Sequence, residues 1–138
     1  MKKVLLWLVI VTAVLPLGGQ QPPPDADPMA RHLFPPDLIM AHQDELGLQE
    51  KQRAAIKAEV LKAQPKFLEW QWEMGEETQK MLALLRSAPV DEAKVLEQAD
   101  RIMALERNVK RTHLSLLIRL KNLLSTEQLA RLEQIRRR

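Results

Sequence analysis

The sequence contains no cysteine, no tyrosine and only four glycines, and its aromatic fraction is 4%. Without cysteine, the chain forms no disulfide, has no thiol nucleophile and has no thiolate ligands for zinc or an iron–sulfur cluster. The scarcity of aromatic and turn-forming residues argues against an all-β sandwich or barrel. Phosphate-binding glycine loops, HExxH motifs and Ser–His–Asp patterns are also missing, so we expect no enzyme.

Helix-forming residues are what the sequence has in quantity. Of its 138 residues, 46% are hydrophobic and 28% are charged, which is enough apolar material for a core. Leucine, alanine, glutamate, lysine, arginine and glutamine are abundant, and all six favour helices. The length corresponds to one domain. We therefore expect an all-α fold.

The charges are unevenly distributed along the chain. Residues 20–100 carry nine basic and fifteen acidic side chains, whereas residues 101–138 carry ten basic and three acidic ones. A sequence pI of about 9.4 is typical of nucleic-acid binding, but the polarisation fits better with helices of opposite charge that pack together, or with an acidic partner. We expect no nucleic-acid partner.

Residues 1–19 have the pattern of a secretory signal peptide. Lys2 and Lys3 precede an apolar run over residues 4–17, which is interrupted by Thr12 and Pro16. As a helix this run spans about 21 Å, which is less than the bilayer hydrocarbon core of about 30 Å. We predict export, with an uncleaved N-terminal anchor as the alternative. No cysteine follows the run, so the pattern is not that of a lipoprotein.

Proline dominates the segment that follows. Six of the nine prolines lie within residues 20–36. Because proline lacks an N–H group and favours extended geometry, residues 20–35 are predicted to be an extended spacer. If the leader stays uncleaved, this spacer is a tether that holds the domain off the membrane.

Four helices are predicted after the spacer, over residues 36–46, 48–87, 91–123 and 126–138. The apolar residues of the two long helices recur at helical spacing. They are Ile56, Val60, Ala63, Phe67, Trp70, Met74, Met81 and Leu85 in the second helix, and Val95, Ala99, Ile102, Val109, Leu116, Leu120 and Leu123 in the third. Pro65 predicts a kink in the second helix. Two helices of about 50 Å have a thin core, so we expect a homodimer.

Two similar pentapeptides stand at the ends of this predicted hairpin. Residues 124–128 read Leu-Ser-Thr-Glu-Gln, and their serine and glutamine form a capping-box pattern. Residues 48–52 read Leu-Gln-Glu-Lys-Gln, with glutamine in the capping place. Both resemble the Leu-Thr-x-x-Gln motif of the Spy/CpxP family of periplasmic stress proteins. The matching positions are Leu48, Gln52, Leu124, Ser125 and Gln128. Residues 90–135 also resemble the related periplasmic heavy-metal sensor and resistance proteins.

The resemblance implies a fold and a choice of functions. The fold is a hooked four-helix hairpin over residues 36–138 that dimerises into a shallow cradle. Some relatives bind unfolded polypeptide, some restrain a membrane sensor protein, and others bind nickel, cobalt, copper or zinc and signal to a membrane partner. The resemblance therefore implies a non-enzymatic periplasmic adaptor or, alternatively, a heavy-metal sensor or resistance protein. A divalent transition metal is the one cofactor it suggests.

The metal interpretation rests on three residues. The resemblance to the nickel and cobalt sensors suggests His42 on the first helix, His113 on the third and Glu59 on the second as ligands. Leu117 stands where those sensors carry a methionine. A histidine on an apolar helix face is more often a hydrogen-bonded structural residue, and both interpretations stay open.

The partner-binding interpretation rests on an aromatic cluster. At helical spacing, Phe67, Trp70 and Met74 share one face of the second helix, whereas Trp72 points elsewhere. Exposed apolar patches mark interaction sites, and methionine adapts to varied partners. The alternative is plain core and dimer packing. The basic residues of the third helix, Arg107, Lys110, Arg111, Arg119 and Lys121, either line a positive concave surface or pair with the second helix.

Overall fold

The structure is a computed structural model that describes residues 28–138, so the predicted leader and the first part of the spacer lie outside the described residues. A short 3-10 helix, Ala30–His32, is followed by four α-helices. These are α1 (Pro36–Ala41), α2 (Glu50–Leu85), α3 (Glu92–Asn122) and α4 (Thr126–Arg136). No strand occurs within the described range. The all-α prediction is confirmed.

The two long helices form an antiparallel hairpin. At one end Gln52 of α2 donates to the carbonyl of Leu123, and further along Glu77 of α2 accepts from Gln98 of α3. At 1.5 Å per residue, α2 with its 36 residues is about 54 Å long and α3 with 31 is about 47 Å long. The predicted hairpin is therefore confirmed.

Side chains cap the starts of α3 and α4, and the cap of α4 is the one that the sequence predicts. Asp91 precedes α3, and its carboxylate accepts from the Lys94 N–H at 3.2 Å. Ser125 precedes α4; its hydroxyl accepts from the Gln128 N–H, and the Gln128 side chain accepts in return from the Ser125 N–H. This closes both arms of a capping box. At α2 the Gln52 side chain accepts from the Gln49 N–H at 3.1 Å.

The first helix is shorter than predicted. It ends at Ala41 instead of residue 46, and residues 42–47 continue as turns. The Leu48 N–H donates to the Gln43 carbonyl, and the Gly47 N–H donates to the Asp44 carbonyl. Gly47 has a φ of +61°, so these bonds form the helix-terminating pattern that a left-handed glycine allows. The glycine thus ends the turns that follow α1, next to residue 46, where the sequence predicts the end of the first helix.

The predicted apolar stripes face the seam between the long helices. Every predicted stripe residue of α3 is buried or half-buried, and so is every one of α2 except Leu85. Leu85 is the last residue of α2 and is 49% exposed, whereas its neighbour Leu84 is half-buried instead. The helix α2 is continuous through Pro65.

The apolar core lies at the open end of the hairpin, where the short helices fold over the long ones. We call this the hook end and define it as residues 28–66 and 114–138; residues 67–113 are the distal half. The core residues are Phe34, Ile39, Leu46, Leu48, Ile56, Ala63, Leu116, Leu120, Leu124, Leu132 and Ile135. All of them belong to the hook end.

The last part of the predicted spacer belongs to this core. Phe34 is 2% exposed, and the Arg136 guanidinium lies 4.5 Å from the centre of its ring. Arg136 also donates to the Leu33 carbonyl, and Lys121 donates to the His32 carbonyl. The expectation of an extended spacer up to residue 35 therefore does not hold near Phe34, because a large aromatic side chain gains more by burial than the extended chain does by solvation.

Within residues 28–138, no helix has the length and apolar character needed to cross a bilayer.

Candidate functional site

The two motif glutamines meet at the hook end. The Gln52 amide donates to Gln128 Oε1 at 2.8 Å, and the Gln128 amide donates to Gln52 Oε1 at 3.1 Å. Gln52 also donates to the Leu123 carbonyl, and Gln128 to the Leu46 carbonyl. The pair thus joins the starts of α2 and α4 to each other, to the end of α3 and to the turns that follow α1. Its fully bonded amides give the motif a structural role.

The other motif residues surround this pair. Leu48 and Leu124 are both buried. Leu48 stands directly before the residue that caps α2, and Leu124 stands directly before the residue that caps α4. Each leucine therefore anchors a helix start in the core, and each glutamine ties that start to the other copy. The two copies of the motif pack as one unit.

The three predicted metal ligands make separate contacts. His42 Nδ1 lies 3.4 Å from Glu45 Oε2, and Glu45 also pairs with Arg131 and Arg138 near the end of the chain. The His113 ring packs edge-on against Phe67 with 6.3 Å between ring centres. His42 therefore lies among charges of the hook end, and His113 lies beside an aromatic ring of α2.

Glu59 serves as an ion-pair partner. It accepts from Arg119 at 3.1 Å and from Lys62 at 3.2 Å. These hydrogen bonds, the one from Arg119 above all, hold the pKa of the Glu59 carboxyl below its ordinary value. Of the predicted basic set, Arg119 therefore does pair with the second helix.

The predicted ligand set does not fit a single metal ion in this arrangement. Phe67, which His113 contacts, is eight residues from Glu59, or about 12 Å along the α2 axis. No three His, Asp or Glu side chains within residues 28–138 come together as a potential metal site. Joint ligation by His42, His113 and Glu59 stays a prediction, and it needs a rearrangement or a second chain.

The aromatic cluster divides as its helical spacing predicts. Phe67 and Trp70 are half-buried and pack edge to face with 6.2 Å between ring centres, and Met74 is half-buried on the same side. Trp72 is 70% exposed. Phe67, Trp70 and Met74 thus belong to the seam with α3, and Trp72 is free to meet another molecule.

Trp72 belongs to a second apolar stripe that sequence analysis missed. Leu61, Leu68 and Trp72 are seven and four residues apart, so they share one side of α2, about 180° from the seam residues Ala63 and Trp70. All three side chains are exposed. A matching exposed set on the outer side of α3 comprises Leu96, Met103, Leu114 and Ile118. We call these two sets the outer stripes. Their helical spacing is the signal in the sequence from which they could have been predicted.

Comparison with known proteins gives one match. No curated protein and no solved structure matches the chain significantly. A family model described as heavy-metal resistance matches residues 4–131, which is most of the chain. The chain belongs to the heavy-metal resistance family. The resemblance found in the motifs is thereby confirmed at the level of this helical family, and membership of the Spy/CpxP branch stays a prediction.

In this member of the heavy-metal resistance family, some residues of the candidate site hold the fold together and others are exposed to solvent. The motif glutamines and the seam are committed to the fold. The outer stripes and the half-exposed His42 are available to other molecules. The outer stripes and His42 are therefore the candidates for binding another molecule.

Proposed function

We propose that this member of the heavy-metal resistance family is a non-enzymatic, exported adaptor that binds another polypeptide in the periplasm. The observation that carries the proposal is the outer stripe of α2, where Trp72 is 70% exposed and Leu68, one turn earlier, is 57% exposed. Large apolar side chains at helical spacing on an unpartnered face are typical of an interaction surface.

The energetics of the distal half favour a partner. In a hairpin of two helices, each helix contacts only one neighbour, so a large part of its surface faces water. Burial of a large apolar side chain contributes about 1.5–3 kcal/mol. A bound chain that covers Leu68 and Trp72 therefore stabilises both molecules. We propose that this bound chain is an unfolded client or a membrane sensor protein, and that the protein binds it as a homodimer. The N-terminal segment then serves as an export signal or as a membrane tether.

A paired set of variants tests the adaptor function. In the full chain, the Leu68→Ala/Trp72→Ala double variant is expected to lose most of its ability to suppress aggregation of an unfolded client, because the exposed anchors are removed. Gln71→Ala, on a different side of the same helix, is the matched control and should retain suppression. Unchanged suppression by the double variant, with unchanged helicity by circular dichroism, would overturn the proposal.

A second candidate function is metal sensing, and the family match favours it. It requires His42 and His113 to act together, which the arrangement of a single chain does not provide. Calorimetric titration of the full chain with Ni²⁺, Co²⁺, Cu²⁺ and Zn²⁺ tests it. Stoichiometric binding at micromolar or lower concentration that both His42→Ala and His113→Ala abolish would establish sensing through these ligands. Binding that survives in both variants would exclude them.

A further inference from the structure

A cleft between the long helices lies just beyond the apolar core. It has a volume of about 200 Å³. Ala63 of α2 and Leu116 of α3, both buried, belong to its lining. Ala63 and Ser115 are small, so neither side chain fills the space between the helices at this level. The cleft is open enough for a small molecule and too small for a folded partner.

Four cations line this cleft. Lys62 and Lys66 come from α2, and Arg111 and Arg119 come from α3. The one carboxylate in the lining is Glu59. The lining of this open cleft therefore carries an excess of three positive charges, whereas the chain up to residue 100 is acidic on balance.

Two of the four cations have no partner within the described residues. Glu59 holds Lys62 and Arg119 by ion pairs of 3.2 and 3.1 Å. Among residues 28–138, no carboxylate lies within ion-pair distance of Lys66 or Arg111. Cations that line one cleft without counter-charge repel each other, and an anion between them relieves that repulsion.

Neutral donors complete the lining. Thr112 and Ser115 are half-buried on the α3 side, and neither hydroxyl bonds to a protein atom in the part of the chain that the structure describes. A hydroxyl and a guanidinium together can donate to several oxygens of one ligand, and arginine is well matched to phosphate geometry.

We propose that this cleft is a binding site for a phosphate group. A divalent tetrahedral oxyanion offsets most of the excess charge, and its oxygens accept from Lys66, Arg111 and the two hydroxyls. A metal cation is disfavoured there by the same charges. The phosphate comes either from inorganic phosphate in solution or from a lipid headgroup. This site is separate from the outer stripes, so it stands or falls independently of the adaptor function.

Titration of the full chain with inorganic phosphate tests the site. Phosphate is expected to raise the melting temperature and to give a saturable calorimetric signal, whereas chloride at the same ionic strength does neither. Lys66→Gln/Arg111→Gln is expected to weaken binding by about tenfold or more, since two charge-assisted contacts are lost. Lys51→Gln/Arg107→Gln makes the same change in net charge on exposed residues outside the cleft and should leave binding intact.

A second arm distinguishes the source of the phosphate. Sedimentation is measured with vesicles of phosphatidylglycerol and with vesicles of phosphatidylcholine alone. Capture by the phosphatidylglycerol vesicles that Lys66→Gln/Arg111→Gln loses, without binding of inorganic phosphate, assigns the site to a headgroup. Equal effects of chloride and phosphate, equal losses in the cleft variant and its control, or no binding in either arm would overturn the proposal. Circular dichroism of each variant verifies that it is folded.

Discussion

The hook end contains all eleven buried apolar residues of the described chain, whereas the distal half contains one buried side chain, the polar Gln98. The distal half also exposes most of the large apolar residues that face solvent, among them Trp72 and Met103. The same two helices are thus held by an apolar core at one end and by hydrogen bonds and half-buried contacts at the other.

This difference in packing gives the two ends of the hairpin different local stability. A core of closely packed leucines and isoleucines resists opening, whereas a region with few buried apolar contacts opens at lower free energy. The distal half can therefore adapt to a partner while the hook end keeps the helices in register. Local opening and exposed apolar surface in the same region are what the proposed adaptor function requires.

Loss of a core leucine at the hook end should have the largest effect. Leu120 is fully buried, so Leu120→Ala is expected to lower the free energy of unfolding by about 2–5 kcal/mol through lost burial and a residual cavity. Leu96→Ala makes the same chemical change in the distal half of the same helix, where the side chain is 57% exposed. It should cost less than about 1 kcal/mol. Urea unfolding of the full chain measures both losses. Equal losses would contradict the difference in packing between the hook end and the distal half.

The motif glutamines should give the next largest effect. Gln128→Ala removes both hydrogen bonds with Gln52 and two others, with Ser125 and Leu46, and it leaves part of the Gln52 amide unsatisfied. We expect a loss of about 1–3 kcal/mol. Because the two side chains bond to each other, adding Gln52→Ala should cost less than it does alone. Additive losses in this double-mutant cycle would show that the two glutamines act independently.

The sequence predicts the hairpin well because its signals are local. Helical spacing identifies the seam residues, Asp91 and Ser125 have the short oxygen side chains that cap helices, and Gly47 supplies a left-handed residue. The spacer near Phe34 is mispredicted, because Phe34 packs against residues such as Arg136, about a hundred residues later in the chain. No local pattern reports a contact of that range.

The candidate sites were less predictable for the same reason. The sequence places His42 and His113 on different helices, but only the fold shows that one lies beside Glu45 and the other beside Phe67. The cleft lined by Lys66 and Arg111 depends on the register of two helices that residues far apart in sequence determine. The outer stripe through Trp72 was predictable, since spacing alone defines it.

A polar contact in the distal half should matter less than the motif pair. Gln98 donates to the Glu77 carbonyl at 2.9 Å and to its carboxylate at 2.6 Å. In Gln98→Leu both acceptors keep another partner, because Lys80 binds the carboxylate and the carbonyl lies inside a helix. A leucine also adds apolar surface to the seam. We expect the free energy of unfolding to change by less than about 1 kcal/mol in urea unfolding. A loss as large as that of Gln128→Ala would show that the distal half has its own essential network.

The smallest effect should come from acid. Hydrogen bonds from Lys80 and then Gln98 lower the pKa of Glu77, and bonds to the Lys94 backbone and side chain lower that of Asp91. A carboxyl group with a lowered folded pKa stabilises the fold above its unfolded pKa, which is 4.5 for Glu77 and 3.8 for Asp91. That contribution is lost as the pH falls through the folded values.

Both of these groups belong to the distal half, which has no apolar core to compensate. Amide hydrogen exchange between pH 6 and pH 3, corrected for the intrinsic rate, should therefore show protection falling in residues 67–113 before it falls around Leu120. The variant Glu77→Gln should reduce this difference, because its amide does not titrate. Simultaneous loss of protection at both ends would mean that the hairpin opens as one cooperative unit, and that the apolar core extends its influence along the full length of the helices.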